Sequence, residues 1–219
     1  MSAARFTPTQ LADGEALFRR PWQFVKGVPS LEVLPAAERT EMCLAGRSNV
    51  GKSSLINRLV GRALARTSNT PGRTQELNFY AAPGVALFIV DLPGYGFAEA
   101  PKPRVEAWTR LVRDYLRGRA TLARVFLLID ARRGLTPADL DIMRLMDEAA
   151  VSYQGVLTKA DKVKPTELAR VVAATEQALG THAAAAVGVL ATSAQTGAGV
   201  PELRAEMAAL AAAFGALAG

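Results

Sequence analysis

Gly46-Arg47-Ser48-Asn49-Val50-Gly51-Lys52-Ser53 follows the spacing G-x-x-x-x-G-K-S/T, the pattern of a loop that wraps nucleotide phosphates. Gly46 and Gly51 allow successive backbone amides to face phosphate oxygens. The helix expected to follow, from Ser54, adds the positive end of its dipole. Lys52 would bring its charge to the β- and γ-phosphates, and the Ser53 hydroxyl is a ligand for Mg²⁺. Downstream, an apolar run ends in Asp91-Leu92-Pro93-Gly94. A carboxylate there can hold Mg²⁺ through water, and Gly94 can offer its amide to the γ-phosphate. A third apolar run ends in Thr158-Lys159-Ala160-Asp161. A carboxylate in the Asp161 position accepts hydrogen bonds from N1 and the 2-amino group of guanine, donors that adenine lacks. Lys159 would lay its aliphatic stem along the base. Thr192-Ser193-Ala194 follows the last apolar run and offers a backbone amide near the guanine carbonyl. Taken singly, the last three motifs are common strand-end sequences; their order after the phosphate loop gives them weight.

These residues need a scaffold that ends several strands at one place. Apolar, β-branched runs at 41–45, 75–81, 85–91, 124–130, 154–158 and 187–192 alternate with helical stretches at 52–60, 103–117, 137–149, 166–179 and 200–214. Such alternation predicts an α/β fold with a mostly parallel sheet covered on both faces. The short Ala82-Pro83-Gly84 link predicts one antiparallel hairpin. Pro103, Pro137 and Pro165 mark helix starts, with Thr136 as a capping hydroxyl. Residues 1–40 lack the alternation and read as an extension that packs one short segment on the domain at 41–214, with Trp22 as a buried anchor; 215–219 form a tail. Trp108 reads as a core position.

Among 219 residues, Lys and Arg outnumber Asp and Glu by 26 to 20. That balance suits an anionic partner such as RNA, and equally a well-solvated surface. Cys43, the only cysteine, excludes an internal disulfide and sits in an apolar run, which favours a small core residue over a redox role. No apolar run approaches the length of a membrane span, and the N-terminus shows no apolar signal region, so a cytoplasmic monomer is expected. His182, the only histidine, is expected to have no catalytic part.

The phosphate loop GRSNVGKSSLIN, the stretch Asn69-Thr70-Pro71-Gly72-Arg73-Thr74-Gln75, DLPG and TKAD together resemble the EngB (YihA/YsxC) family, within the GTPases that include Era, EngA, TrmE and septins. The likeness spans about residues 20 to 200. It implies a Ras-like P-loop NTPase fold, a three-layer sandwich. It implies GTP and GDP as ligands, slow GTP hydrolysis with Mg²⁺, and Thr74 joining Ser53 on that ion, with Gly72 and Arg73 beside the nucleotide. It implies a role in assembling the large ribosomal subunit on ribosomal RNA, and in normal cell division and septation. Asn49 matches an asparagine that ligates K⁺ in several relatives; a loop asparagine bonded to its own backbone is the alternative. Tyr95 stands where Ras-like GTPases place the glutamine that orients the attacking water, so hydrolysis is expected to need a partner or an ion. Arg62, Arg66 and Arg73 flank the same loop as Thr74. A P-loop kinase or ATPase, and a switch acting away from the ribosome, are the competing readings.

Overall fold

Seven strands form one sheet: β1 (Gln23–Val28), β2 (Thr40–Gly46), β3 (Leu77–Ala81), β4 (Leu87–Asp91), β5 (Leu122–Asp130), β6 (Tyr153–Thr158) and β7 (Leu190–Ala191), in the order β1-β3-β4-β2-β5-β6-β7. The computed structural model describes residues 5–65, 76–96 and 102–217, with side chains in the last stretch from residue 109 onward. Strands β4, β2, β5, β6 and β7 run parallel. β3 runs against both its neighbours, β4 and β1, which gives the mostly parallel sheet with one antiparallel strand that the sequence predicts. Helices α1 (Pro8–Phe18), α2 (Lys52–Val60), α3 (Lys102–Gly118), α4 (Pro137–Glu148), α5 (Pro165–Leu179) and α6 (Val200–Ala213) complete the order.

Alternation along β2 divides the core in two. Met42 and Leu44 pack with Leu55, Ile56, Leu203 and Met207 from α2 and α6. Cys43 and Ala45 point the other way, towards Val112, Tyr115, Met143 and Met146 of α3 and α4. Successive side chains of a strand face opposite sides, so a run apolar at every position must be covered twice. Cys43 is fully buried with its thiol 3.3 Å from the Tyr115 hydroxyl. Burial pushes that thiol well above its ordinary pKa, so it is a core group and no nucleophile. The expected core position of Trp108 lies outside the described side chains.

Residues before β2 contribute more than the single short segment expected. α1 opens with a reciprocal cap: the Gln10 amide donates to the Thr7 hydroxyl at 3.2 Å, and the Thr7 amide to the Gln10 side chain at 2.8 Å. It packs on α6, and Trp22 stacks on Phe18 with its indole N–H donated to the Leu17 carbonyl at 3.2 Å. β1 then adds an edge strand beside β3. Its apolar run is only two residues, Phe24 and Val25, before Lys26 and Gly27 interrupt it, too short to mark a strand in the sequence.

Three predicted strands are shorter than expected; β3 starts only at Leu77, and β4 and β7 are cut short for local reasons. β4 begins at Leu87 because the Ala86 amide is given to the Ala216 carbonyl, 2.9 Å away. β7 holds only Leu190 and Ala191; Gly188, at φ +86°, breaks the extended run and leaves Val187 95% exposed. Among the described residues, no helix is long and apolar enough to cross a membrane.

Candidate functional site

All parallel strands deliver their carboxyl ends to one rim of the sheet, where ligands of open α/β folds bind. From the buried end of β2 the chain turns through residues 46–51 into α2. Gly51 sits at φ +104°, a conformation that L side chains rarely adopt, and caps α2. Asn49 is also left-handed, at φ +62°, a region asparagine tolerates better than most residues. The first-turn amides of α2 have no partner inside the helix and face outward, as an anion cradle requires. Val50 is buried and Ser54 exposed, so Val50 can contribute only its backbone.

The Asp91 loop lies directly against this turn. Ser48 donates its amide to the Tyr95 carbonyl at 2.9 Å, and Tyr95 returns its amide to Gly46 at 3.3 Å. A Cβ added to Gly94 would meet the Ser48 amide nitrogen at 3.1 Å, so only glycine fits without displacing the phosphate loop. Leu92 and Pro93 are buried and present backbone only. Lys52 forms an ion pair with Asp91; their side chains are 12% and 6% exposed. Burial raises the Asp91 pKa above the ordinary carboxylate range, against the pull of the Lys52 ammonium. Lys52, Ser53, Asp91 and Gly94 therefore gather at one corner.

The base-side loops are tied to the same turn. The Thr158 hydroxyl donates to the Val50 carbonyl at 2.7 Å. Lys159, left-handed at φ +57°, donates its ammonium to the Asn49 carbonyl at 2.6 Å and to Asp130 at 3.0 Å. The Ala160 amide reaches the Thr192 carbonyl at 3.0 Å, and the Ser193 hydroxyl donates to Asp161 Oδ1 at 2.6 Å. That donation holds the Asp161 carboxyl below its ordinary pKa, ionised and aimed. Thr192 is fixed by its own hydroxyl on Leu157, 2.9 Å away, and Ala194 follows in the same loop.

Three residues here went unread in the sequence. Asp130 ends β5 level with Thr158; burial pushes its pKa up, but hydrogen bonds from Arg132 and Lys159 bring it well below the carboxylate range. Its place at a strand end beside the TKAD strand was the available signal. Asn57 accepts the amides of Leu64 and Ala65 at 2.8 and 2.7 Å, fixing the chain as it leaves α2. Asp139, 2% exposed on α4, accepts the Tyr95 hydroxyl at 2.7 Å. Tyr95 itself is buried, so its phenol is turned into the core and away from any attacking water. His182 sits on Asp147, Nδ1 to Oδ2 2.5 Å, with its ring edge-on to Tyr153 at the opposite end of β6. Gly72, Arg73 and Thr74, with Arg66, lie outside the described residues.

A phosphate cradle, a lysine–aspartate corner and an ionised carboxylate held by serine, on this sheet order, define a P-loop GTPase fold. Residues 41–159 match the family model described as "50S ribosome-binding GTPase". The chain belongs to the EngB family of GTP-binding proteins. It is 59% identical over 199 residues to "Probable GTP-binding protein EngB" of Bradyrhizobium diazoefficiens, covering 90% of this chain and 92% of that one. With the Brucella melitensis protein of the same name it shares 53% over 218 residues, 95% and 90% of the two chains. A crystal structure titled as a probable GTP-binding protein engB superposes with a TM-score of 0.62 at 24% identity, over 80% of this chain and all 100% of that one. An Aquifex aeolicus Era bound to GDP and AlF4 gives 0.64 at 20% identity, over 79% of this chain and 57% of that one. At such identities these two structures speak for the fold.

Proposed function

We propose that this chain is a slow GTP-hydrolysing switch that binds GTP and GDP and acts in assembly of the large ribosomal subunit. The observation that carries the reading is the joining of four strand-end loops by direct hydrogen bonds into one site, with the Ser193 hydroxyl donated to the Asp161 carboxylate. Lys52 and the free amides of the turn and of the first turn of α2, from Gly51 to Ser53, hold the phosphates. Gly94 meets the γ-phosphate, and Asp161 and the Ala194 amide read guanine. Thr74, with Gly72 and Arg73, completes the γ-phosphate end.

Mg²⁺ fits the donors present. Among the described residues no cluster of three acidic, histidine or cysteine side chains gathers to hold a metal alone. Ser53 and Asp91 supply hard oxygen donors to an ion that otherwise keeps water and phosphate ligands. Bound there, Mg²⁺ would supply charge neutralisation at the phosphates, with Ser53 and Asp91 as the residues that would hold it. Lys52 orients phosphate oxygens beside them. Tyr95, buried and bonded to Asp139, orients no water, which supports a slow intrinsic rate. K⁺ stimulation through Asn49 rests on the family resemblance, since its left-handed backbone already accounts for an asparagine there.

The ribosomal role is supported by the description of the matching family and by the excess of basic residues, 26 against 20. A role in cell division and septation follows from the family resemblance; a cytoplasmic location follows from the want of an apolar signal region in the sequence, and a monomer is the default for a single domain. Co-sedimentation with large ribosomal subunits tests it: the protein pellets with a GTP analogue, releases with GDP, and loses binding steeply with salt as counterion release is suppressed. Absence from the subunit in both nucleotide states would favour a switch working elsewhere.

A further inference from the structure

The side chains of Tyr95 and Asp139 touch neither the phosphate loop's lysine nor the Asp161 loop, yet both are buried and bonded to each other, one in the loop after β4 and the other on α4. Tyr95 follows Gly94 directly, and its peptide is clamped on both sides to the phosphate loop through Ser48 and Gly46. Its phenol leaves the site and donates to Asp139 Oδ1 at 2.7 Å. Asp139 Oδ2 is itself saturated, accepting the Thr136 amide at 2.8 Å and the Thr136 hydroxyl at 2.6 Å. The carboxylate is thus fixed by the start of α4, with no freedom to follow a moving partner. In this desolvated setting the phenol is held protonated: burial first, then the neighbouring Asp139, raise its pKa far above the ordinary value.

We propose that the Tyr95–Asp139 hydrogen bond positions Gly94, setting the height of its amide over the phosphate loop and so the protein's preference for a nucleotide bearing a γ-phosphate. The pair touches no nucleotide atom; it acts through Gly94, one peptide away. A Cβ added to Gly94 would stand 3.1 Å from the Ser48 amide nitrogen, so the peptide runs close over the phosphate loop and a small tilt of it changes where its N–H points. An amide misplaced by about an ångström loses its hydrogen bond, and no other nucleotide contact need change. This inference rests on the reading of Gly94 as the γ-phosphate donor.

The test compares affinities for GDP and a non-hydrolysable GTP analogue, with Mg²⁺, in the unsubstituted chain and in Tyr95→Phe. The substitution removes one oxygen and keeps the ring, and Asp139 retains its Thr136 donors. The expected result is an analogue affinity about five- to tenfold weaker with GDP affinity unchanged. Asp139→Ala provides a second variant, since it removes the acceptor of the Tyr95 hydroxyl altogether; the same selective loss is expected. Equal weakening of both nucleotides, or of neither, would overturn the proposal, because a merely structural bond cannot distinguish them. If the unsubstituted chain showed no preference for the analogue's γ-phosphate while binding GDP, the role of Gly94 would fall first and this proposal with it.

Discussion

Lys52 and Asp91 answer to each other before they answer to any ligand. A carboxyl whose folded pKa lies above its unfolded one binds its proton more tightly when folded. The stability it lends is full below the unfolded carboxylate pKa and is lost as pH rises through the folded value. Asp91 is of this kind, raised by burial and opposed by Lys52. Lys52→Met removes the opposition and moves the folded pKa further up. Relative to the unsubstituted protein, the variant should lose stability between an acidic and a neutral pH, reaching about 3 kcal/mol as the unpaired charge is forced to form. Melts at the two pH values, each compared with the parent, read this directly; a pH-independent difference would contradict it. Asp161→Asn addresses the other end of the site. Its amide cannot accept from both guanine donors, so GDP affinity should fall by about a hundredfold or more, with the melting temperature of the nucleotide-free protein unchanged. At this scale the sequence was legible where chemistry dictates residue type, as in Gly51, Lys52, Asp91 and Asp161. It was not legible for Asp130 or Asp139, whose partners Lys159 and Tyr95 lie 29 and 44 residues away, a proximity that only the fold creates.

Among the elements, every helix from α2 onward was predicted with small shifts at the ends, α2 to α5 from alternation with the strands and proline or glycine starts, and α6 from its alanine-rich helix propensity. The extension was harder. α1 and β1 draw their stability from what they cover, α6 and β3, and their own patterns are weak; most of β1 is exposed. Gly14 shows how close the cover is. A Cβ added there would stand 2.5 Å from the Ala205 backbone nitrogen and 2.6 Å from the Arg204 carbonyl carbon. No rotamer relieves a clash with backbone. Gly14→Ala should therefore destabilise the protein by about 1–3 kcal/mol, although alanine favours an isolated helix by about 0.8 kcal/mol. Denaturant unfolding decides between the two: a stabilised variant would mean that α1 does not sit on α6 as described.

For the whole molecule, the arrangement is a parallel sheet that brings four loops to one rim while its opposite end is closed by neutralised charge. There, buried Glu41 accepts the Tyr115 hydroxyl at 2.5 Å and the Thr121 hydroxyl at 3.0 Å, and pairs with Arg119. Polarity is thus satisfied internally at one end and left facing outward at the other. What the sequence displayed was this rim, because its glycines, lysine and carboxylates are too specific to be packing. What it concealed was how the rim is held together, through backbone carbonyls such as those of Val50 and Asn49 that carry no mark in residue type. The most direct measurement is a calorimetric titration of the purified protein with GDP, a GTP analogue and ATP in the presence of Mg²⁺. Guanine nucleotides should bind at least about a hundredfold more tightly than ATP; equal affinity for ATP, or binding of none of the three, would contradict the account.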